Sequence, residues 1–259
     1  MNILDKIIAH KRAEVEVAKR HVPVEELKQR KFFTRDTLSL KRFLLDETKA
    51  GIIAEFKRRS PSKGIINTSD AVEEVTGAYT NYGASGLSVL TDEEFFGGSG
   101  GDLIMARINA IPILRKDFII DEYQLLESKA MGADVILLIA ACLTADRVKE
   151  LASFAKSLKL EVLLEIHAEE ELMHICNEVD LVGVNNRDLK TFSVDISRSI
   201  ELSKQIPADK IKITESGIDD VETIRMFKEA GFKGFLMGEK FMKDRDPGKA
   251  FIEFVSKLK

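Results

Sequence analysis

Eight short apolar, often β-branched runs recur along the chain, each followed by a polar turn and then a segment whose apolar residues repeat with helical spacing. They are Gly51–Phe56, Gly86–Leu90, Ile111–Leu114, Val135–Ile139, Glu161–Ile166, Leu181–Val184, Lys210–Thr214 and Gly234–Met237. Runs of this length read as buried strands. Their alternation with helix periodicity implies parallel pairing, because a parallel connection needs a crossover long enough to hold a helix. Strand starts lie roughly 20 to 35 residues apart, the size of one strand-helix unit. Eight such units with no break in composition favour one closed α/β barrel, the (β/α)8 or TIM barrel, over an open doubly wound sheet. The length of 259 residues suits that reading, since such barrels take about 250.

Between the strands, helices are predicted at Asp121–Met131, Ala145–Leu158, Ala168–Asn177, Asp219–Ala230 and Pro247–Leu258, with Gly132 and Gly231 as stop signals. Residues 1–48 do not fit the repeat. Ile3, Leu4, Ile7, Ile8, Val15 and Ala18 sit at helical spacing with polar residues between them, which predicts one or two extra helices ahead of the first strand. A prefix of this kind covers a barrel end or an interface. The expected organisation is a single domain, 1–259, made of an N-terminal helical extension (1–48) and the barrel (49–259).

Composition narrows the function classes. The chain is 44% apolar and 32% charged, with 43 acidic against 39 basic residues and a net charge of −4, as in a folded globular protein. Such a balance exerts no general pull toward nucleic acid or an anionic membrane. Asp5, Lys6, Lys11, Arg12, Glu14 and Glu16 interrupt any leader-peptide core or membrane span, so a cytoplasmic protein is expected. Cys142, in an apolar run, and Cys176, in a predicted helix, read as reduced packing residues, and with four scattered histidines they form no metal-binding pattern.

In a (β/α)8 barrel the working face is the carboxyl end of the strands, so the strands that end in polar residues of inward parity matter most. Ile53, Glu55 and Lys57 share one face, which continues an apolar interior row with a carboxylate and an ammonium. That is costly in a core and useful in a site. The third strand ends in Lys116, the fifth in Glu165, the sixth in Asn185 and Arg187, and the seventh in Glu215 and Ser216. Parity allows only one of Arg115 and Lys116 to point inward; Lys116 is chosen, with Arg115 facing the helices and Arg58 and Arg59 at the rim. Ser216-Gly217 and Gly238-Glu239 follow the last two strands, the recurrent place for a phosphate, with Glu239–Lys243 starting a small helix. Gly97 to Gly101 matches no nucleotide-binding spacing and reads as a flexible loop leading into a helix at Asp102. Phe95, Phe96 and Phe118 fit an aromatic wall over a planar substrate and ordinary packing equally well.

The motifs Ala54-Glu55-Phe56-Lys57 with Ser60-Pro61-Ser62-Lys63-Gly64, Leu87 to Asp92 with Phe95 to Ser99, Leu114-Arg115-Lys116-Asp117-Phe118-Ile119, Leu163-Leu164-Glu165, Val184 to Leu189 and Thr214-Glu215-Ser216-Gly217-Ile218 together resemble the indole-3-glycerol-phosphate synthases. The resemblance covers essentially the whole chain, including the helical prefix. It implies conversion of 1-(2-carboxyphenylamino)-1-deoxyribulose 5-phosphate into indole-3-glycerol phosphate, carbon dioxide and water, a step of tryptophan synthesis, by a carboxy-lyase that needs no cofactor or metal. It further implies Lys116 as the general acid, with Glu55, Lys57, Glu165, Asn185 and Glu215 completing the catalytic set. Ser60, Phe96, Phe118, Leu137, Arg187 and Leu189 are implied in substrate binding, and Ser216, Gly217, Gly238 and the Glu239 backbone in holding phosphate, with the Glu239 side chain turned away. The softer Gly100-Gly101 loop is a departure. The expected partner is this phosphorylated small molecule alone, handled by a monomer. Two rival readings are a phosphoribosylanthranilate isomerase-like barrel, which lacks the prefix, and a noncatalytic barrel that binds an anionic metabolite.

Overall fold

The computed structural model describes residues 3–61, 63–68, 70–188 and 193–258. Among them, eight parallel strands close into a barrel: β1 (Ile52–Phe56), β2 (Gly86–Leu90), β3 (Ile113–Lys116), β4 (Val135–Ile139), β5 (Glu161–Ile166), β6 (Leu181–Asn185), β7 (Ile211–Glu215) and β8 (Gly234–Met237). Each strand pairs with its neighbours in sequence, and β8 pairs with β1. Alternation divides their side chains into two layers. Ile52, Ala54 and Phe56 pack outward among the helices, whereas Ile53, Leu114, Val135, Leu137, Leu163, Leu181, Ile213 and Leu236 fill the interior. The interior rows therefore run from apolar residues at the amino end to Glu55, Lys116, Glu165, Asn185 and Glu215 at the carboxyl end.

Register brings those ends to one level. Glu55 lies beside Ser88, Leu90 beside Lys116, Ile139 beside Glu165, and Asn185 beside Glu215. The third strand begins later than its apolar run suggests, at Ile113 in place of Ile111, because Pro112 has no N–H to donate to a ladder; its carbonyl instead accepts from Leu87.

Three helices precede the barrel, where one or two are predicted: α1 (Ile3–His21), α2 (Val24–Gln29) and α3 (Leu40–Leu44). Pro23 separates the first two, and the Ser39 hydroxyl caps the third by accepting from the Arg42 N–H. Leu40 and Leu44 close the amino end of the barrel, packed with Ile53, Leu181 and Ile211. The remaining helices are α4 (Val72–Asn81), α5 (Gly100–Ala106), α6 (Glu122–Met131), α7 (Ala145–Ser157), α8 (Ile196–Ser203), α9 (Val221–Glu229), α10 (Glu239–Met242) and α11 (Pro247–Ser256).

Two expectations about connections need correction. The segment predicted as a helix over 168–177 forms only a 3-10 stretch, Glu169–His174, with i to i+3 bonds from the Glu171 N–H to Ala168 and from the Ile175 N–H to Leu172. Glu171 folds back onto the His167 N–H, which ties its side chain to the strand end, and Cys176 lies beyond the helical stretch. The loop at Gly97 also ends sooner than expected, with the helix starting at Gly100 in place of Asp102. A Cβ on Gly98 would sit 2.1 Å from the Leu90 carbonyl oxygen, and Gly100 and Gly101 are already the first turn of α5, capped by Ser99. Gly98 thus serves close approach of backbone to backbone, and Gly100 makes room for the Met131 side chain.

Candidate active site

The strand ends open into a cavity of about 550 Å³ at the carboxyl face. Its centre is Lys116, which reaches in from β3 while Arg115 turns to the helices and meets Asp117, Gln124 and Ser128. The Lys116 ammonium donates to Glu165 Oε2 and to Glu215 Oε2, both at 2.8 Å. Burial alone would lower this lysine's pKa, but the Glu165, Glu215 and Glu55 carboxylates outweigh it and hold the pKa above the ordinary lysine value.

The two acids flanking Lys116 are held in different states. Glu165 is buried, which would raise its pKa, yet Lys116 and His167 pull it well below the usual carboxylate range. Its other oxygen accepts from the Asn185 amide at 2.9 Å. His167 Nε2 stands 3.1 Å from the same oxygen, close enough for an ion pair but not aligned as a hydrogen bond. Glu215 goes the opposite way: burial and the charge of Glu165 push it up to about 7 in spite of Lys116. Its Oε1 has no hydrogen-bond partner among the described residues.

Glu55 forms a second acid-base pair, with Oε1 2.8 Å from Lys57 and the Ser88 hydroxyl donating to Oε2 at 3.3 Å. Only a glycine fits at position 238, because a Cβ there would lie 2.8 Å from that of Glu55. Beyond β1, a small hairpin pairs Arg59–Ser60 with Gly64–Ile65 and sets Ser60 and Lys63 on the rim. Arg58 is bound to Asp102, and Arg59 donates to the carbonyls of Glu93 and Glu94.

The turn after β7 carries backbone strain. Ser216 and Gly217 have φ of 70° and 68°, and a Cβ on Gly217 would meet Val194 at 2.4 Å. Asn186 pins the turn by donating to the Ser216 carbonyl at 2.7 Å. Across it, Gly238 precedes α10, which is one residue shorter than predicted. The Glu239 side chain is not turned away from the site. It reaches Lys63 and Arg187, each at 3.7 Å, because two rim cations offset the repulsion that charge alone would predict.

The apolar wall is made by Phe96 and Phe118, with ring centroids 6.0 Å apart, together with Leu137, Ile139 and the start of α1. Phe95 is not part of it; its ring packs on His10. Of the residues named from sequence, Leu189 lies outside the described residues, and the other fifteen named for catalysis or binding line this cavity.

Several neighbours escaped the sequence reading. His167 has the same strand parity as Glu165, and that was its signal. Lys11 interrupts the Ile7 and Val15 stripe of α1, a buried cation on an apolar face. Nothing in the sequence indicated that Ile3, Leu4 or Ile7 would reach the cavity, or that Lys63 would turn toward it. Among the described residues there is no cluster of three histidine, cysteine or acidic side chains placed to hold a metal ion, and no helix long and apolar enough to cross a membrane.

A family profile for indole-3-glycerol phosphate synthase matches residues 4–254. A protein of that name from Bacteroides thetaiotaomicron is 48% identical over 258 residues, 99% of each chain. Another from a Polaromonas species is 43% identical, with 97% of each chain covered. Among solved structures, a variant of the tryptophan synthase alpha-subunit from Pyrococcus furiosus superposes with a TM-score of 0.62 at 13% identity, covering 82% of this chain and 98% of that one. A 3-hexulose-6-phosphate synthase gives 0.61 at 14% identity, covering 80% of this chain and 99% of its own. At those identities the structural matches speak for the barrel alone.

Proposed function

The chain belongs to the indole-3-glycerol phosphate synthase family, and from that premise we propose how its strand ends carry out the family's ring closure. The substrate, 1-(2-carboxyphenylamino)-1-deoxyribulose 5-phosphate, has a phosphate at one end, a carboxylated ring at the other and a ketone between. It leaves as indole-3-glycerol phosphate after loss of carbon dioxide and water, in tryptophan biosynthesis. The observation that carries the assignment of roles is the Lys116 ammonium fixed between Glu165 and Glu215 at 2.8 Å, in the cavity that the strained Ser216-Gly217 turn and the phenylalanine wall also line.

In this reading Ser216, Gly217, Gly238 and the Glu239 N–H hold the phosphate, while Lys57, Ser60 and Arg187 meet the other anionic groups. Phe96, Phe118, Leu137 and Leu189 take the ring. As the ring carbon attacks the ketone, its oxygen gains charge and becomes basic enough to take a proton from Lys116, which its neighbours keep charged until that moment. The carboxylate then leaves as carbon dioxide, and the electrons of the broken bond restore the aromatic ring. In the last step the new hydroxyl departs as water, taking a proton from Lys57 or Glu55, and Glu165 removes a proton from the carbon beside the ring nitrogen. Asn185 orients Glu165 and the substrate, and Glu215 holds the hydroxyl groups. The enzyme is thus a carboxy-lyase. The reading takes residues 1–259 as one working unit, since the extension and the barrel line one cavity. It also takes the unit to act as a monomer, a reading supported by a cavity lined by described residues of one chain. The two free thiols, Cys142 and Cys176, fit the cytoplasm.

The test is to add this substrate and follow indole fluorescence and carbon dioxide release together. Both should appear in equal amounts. Rearrangement without carbon dioxide would favour an isomerase, and binding without turnover a noncatalytic barrel. Rapid quench of Glu165→Gln or Glu55→Gln should then trap a decarboxylated species that still carries its hydroxyl. If neither variant accumulates it, the division of labour between ring closure and dehydration is wrong.

A further inference from the structure

We propose that Lys11, which lies outside the set that meets substrate, is a positioning residue for the aromatic wall, acting through Asp92 and Asp117. Its side chain is fully buried, and its ammonium lies 3.0 Å from Asp92 Oδ2, Asp117 Oδ1 and Glu14. These partners come from three places: the loop after β2, the loop after β3, and the next turn of α1. One cation from the helical extension therefore ties two barrel loops together.

Those two aspartates shape the turns that carry the wall. Asp92 Oδ1 accepts the N–H groups of Phe95 at 2.8 Å and Phe96 at 3.3 Å, and Asp117 Oδ1 accepts the Phe118 N–H at 2.8 Å. The other Asp117 oxygen is held by the Thr91 hydroxyl at 2.6 Å and by Arg115 at 3.0 Å. Both aspartates are fully buried, so neither can stay ionised at low cost without a cation beside it. Asp117 has Arg115 as well, whereas Asp92 has no basic side-chain partner other than Lys11 among the described residues. Removing the ammonium would leave the Asp92 side chain buried without its cation and favour its retreat toward water. That change loosens the Phe95-Phe96 turn, and with it the Phe96 ring packed beside Phe118.

The consequence is selective, because the phosphate turn and Lys116 are held by other groups. Lys11 should govern affinity for the ring end of the substrate and leave the phosphate end alone. This rests on the functional reading above only for the identity of the ring.

Lys11→Met tests it by calorimetric binding of indole-3-glycerol phosphate and of inorganic phosphate, with KM and kcat for the substrate alongside. The expected result is roughly tenfold weaker binding of the indole compound and a KM raised to match, with phosphate affinity unchanged and kcat within about threefold. A role in stability alone would lower the folded fraction, and so kcat, without moving KM or either affinity; that pattern would overturn the proposal. Should Lys11→Met fail to fold, Lys11→Met with Asp92→Asn removes the orphaned charge and keeps an oxygen for the Phe95 and Phe96 N–H groups. That double variant should fold and still bind the indole compound several-fold more weakly, since Asp117 keeps only Arg115 and the cation that joins the two loops is gone; wild-type affinity would refute the role. The binding arm needs no turnover, so an inactive wild type would count against the functional reading and not against Lys11.

Discussion

At the amino end of the barrel, Asp134 is fully buried and saturated: Arg35 and the Leu38 N–H share one of its oxygens, and Arg107 and the Ile113 N–H share the other. At the carboxyl end, Glu215 is almost as deeply buried, yet Lys116 holds one oxygen and the other accepts nothing among the described residues. Both carboxylates lie where charge is expensive. The contrast teaches what each is for. Asp134 has spent its hydrogen-bonding capacity on joining the extension, the segment after α5 and β3, whereas Glu215, a residue of the cavity wall, is left with a buried oxygen unpaired, a cost to stability of the kind found where charge serves chemistry.

The widest separation of the two ends should come from Lys116→Met. With the ammonium gone, Glu215, already raised by burial, can hold its proton beside Glu165, so the barrel should stay folded. Steady-state assay should show kcat reduced by a factor of about 10² to 10⁴, equivalent to roughly 3–5 kcal/mol of barrier. Near-normal turnover would erase the distinction between the ends. Asp134→Asn is the mirror case. It strands the Arg107 guanidinium, buried beside it, and should cost about 3–5 kcal/mol in denaturant unfolding while the folded fraction keeps its kcat within about twofold.

A smaller effect should come from His167, which sharpens the comparison through pH. Burial opposes its charge, but Glu165 and Glu171 dominate and raise its pKa to about 10. A raised histidine contributes stability that is complete below its ordinary value of 6.5 and lost as pH rises through about 10. The stability gap between wild type and His167→Gln, about 1–3 kcal/mol at pH 6, should therefore close across that window. A gap that persists at pH 10.5 would mean that packing, not charge, accounts for it.

How far the sequence discloses these ends depends on period and reach. Strand alternation is rigid, so Ile53, Glu55 and Lys57 could be placed on one row, and Lys116 separated from Arg115, by counting alone. Apolar runs also located the strands, apart from the two-residue shift that Pro112 imposes on the third. What counting cannot supply is the course of loops and the choice of long side chains. The 168–177 segment has helical spacing yet closes only 3-10 turns, and the choice between i to i+3 and i to i+4 bonds is not written in the spacing of its apolar residues. Arg187 and Lys63 meet Glu239 across three different loops, a convergence set by backbone paths that short-range periodicity does not describe. Asp134 gave no signal either, as an acidic residue just ahead of a strand is usually solvated.

Glu215→Gln is the most direct test of the idea that the carboxyl-end charges are held against stability for the sake of chemistry. Because burial raises Glu215 from 4.5 to about 7, the unfolded chain ionises first as pH rises, and folding loses stability between those values. Chemical unfolding of the wild type and Glu215→Gln should be followed from pH 4 to pH 8.5, with kcat measured at pH 8. The account predicts matching stability at pH 4, a variant more stable by about 1–3 kcal/mol above pH 7, and reduced turnover. A variant that is less stable than wild type at pH 8, as Asp134→Asn should be, would contradict it.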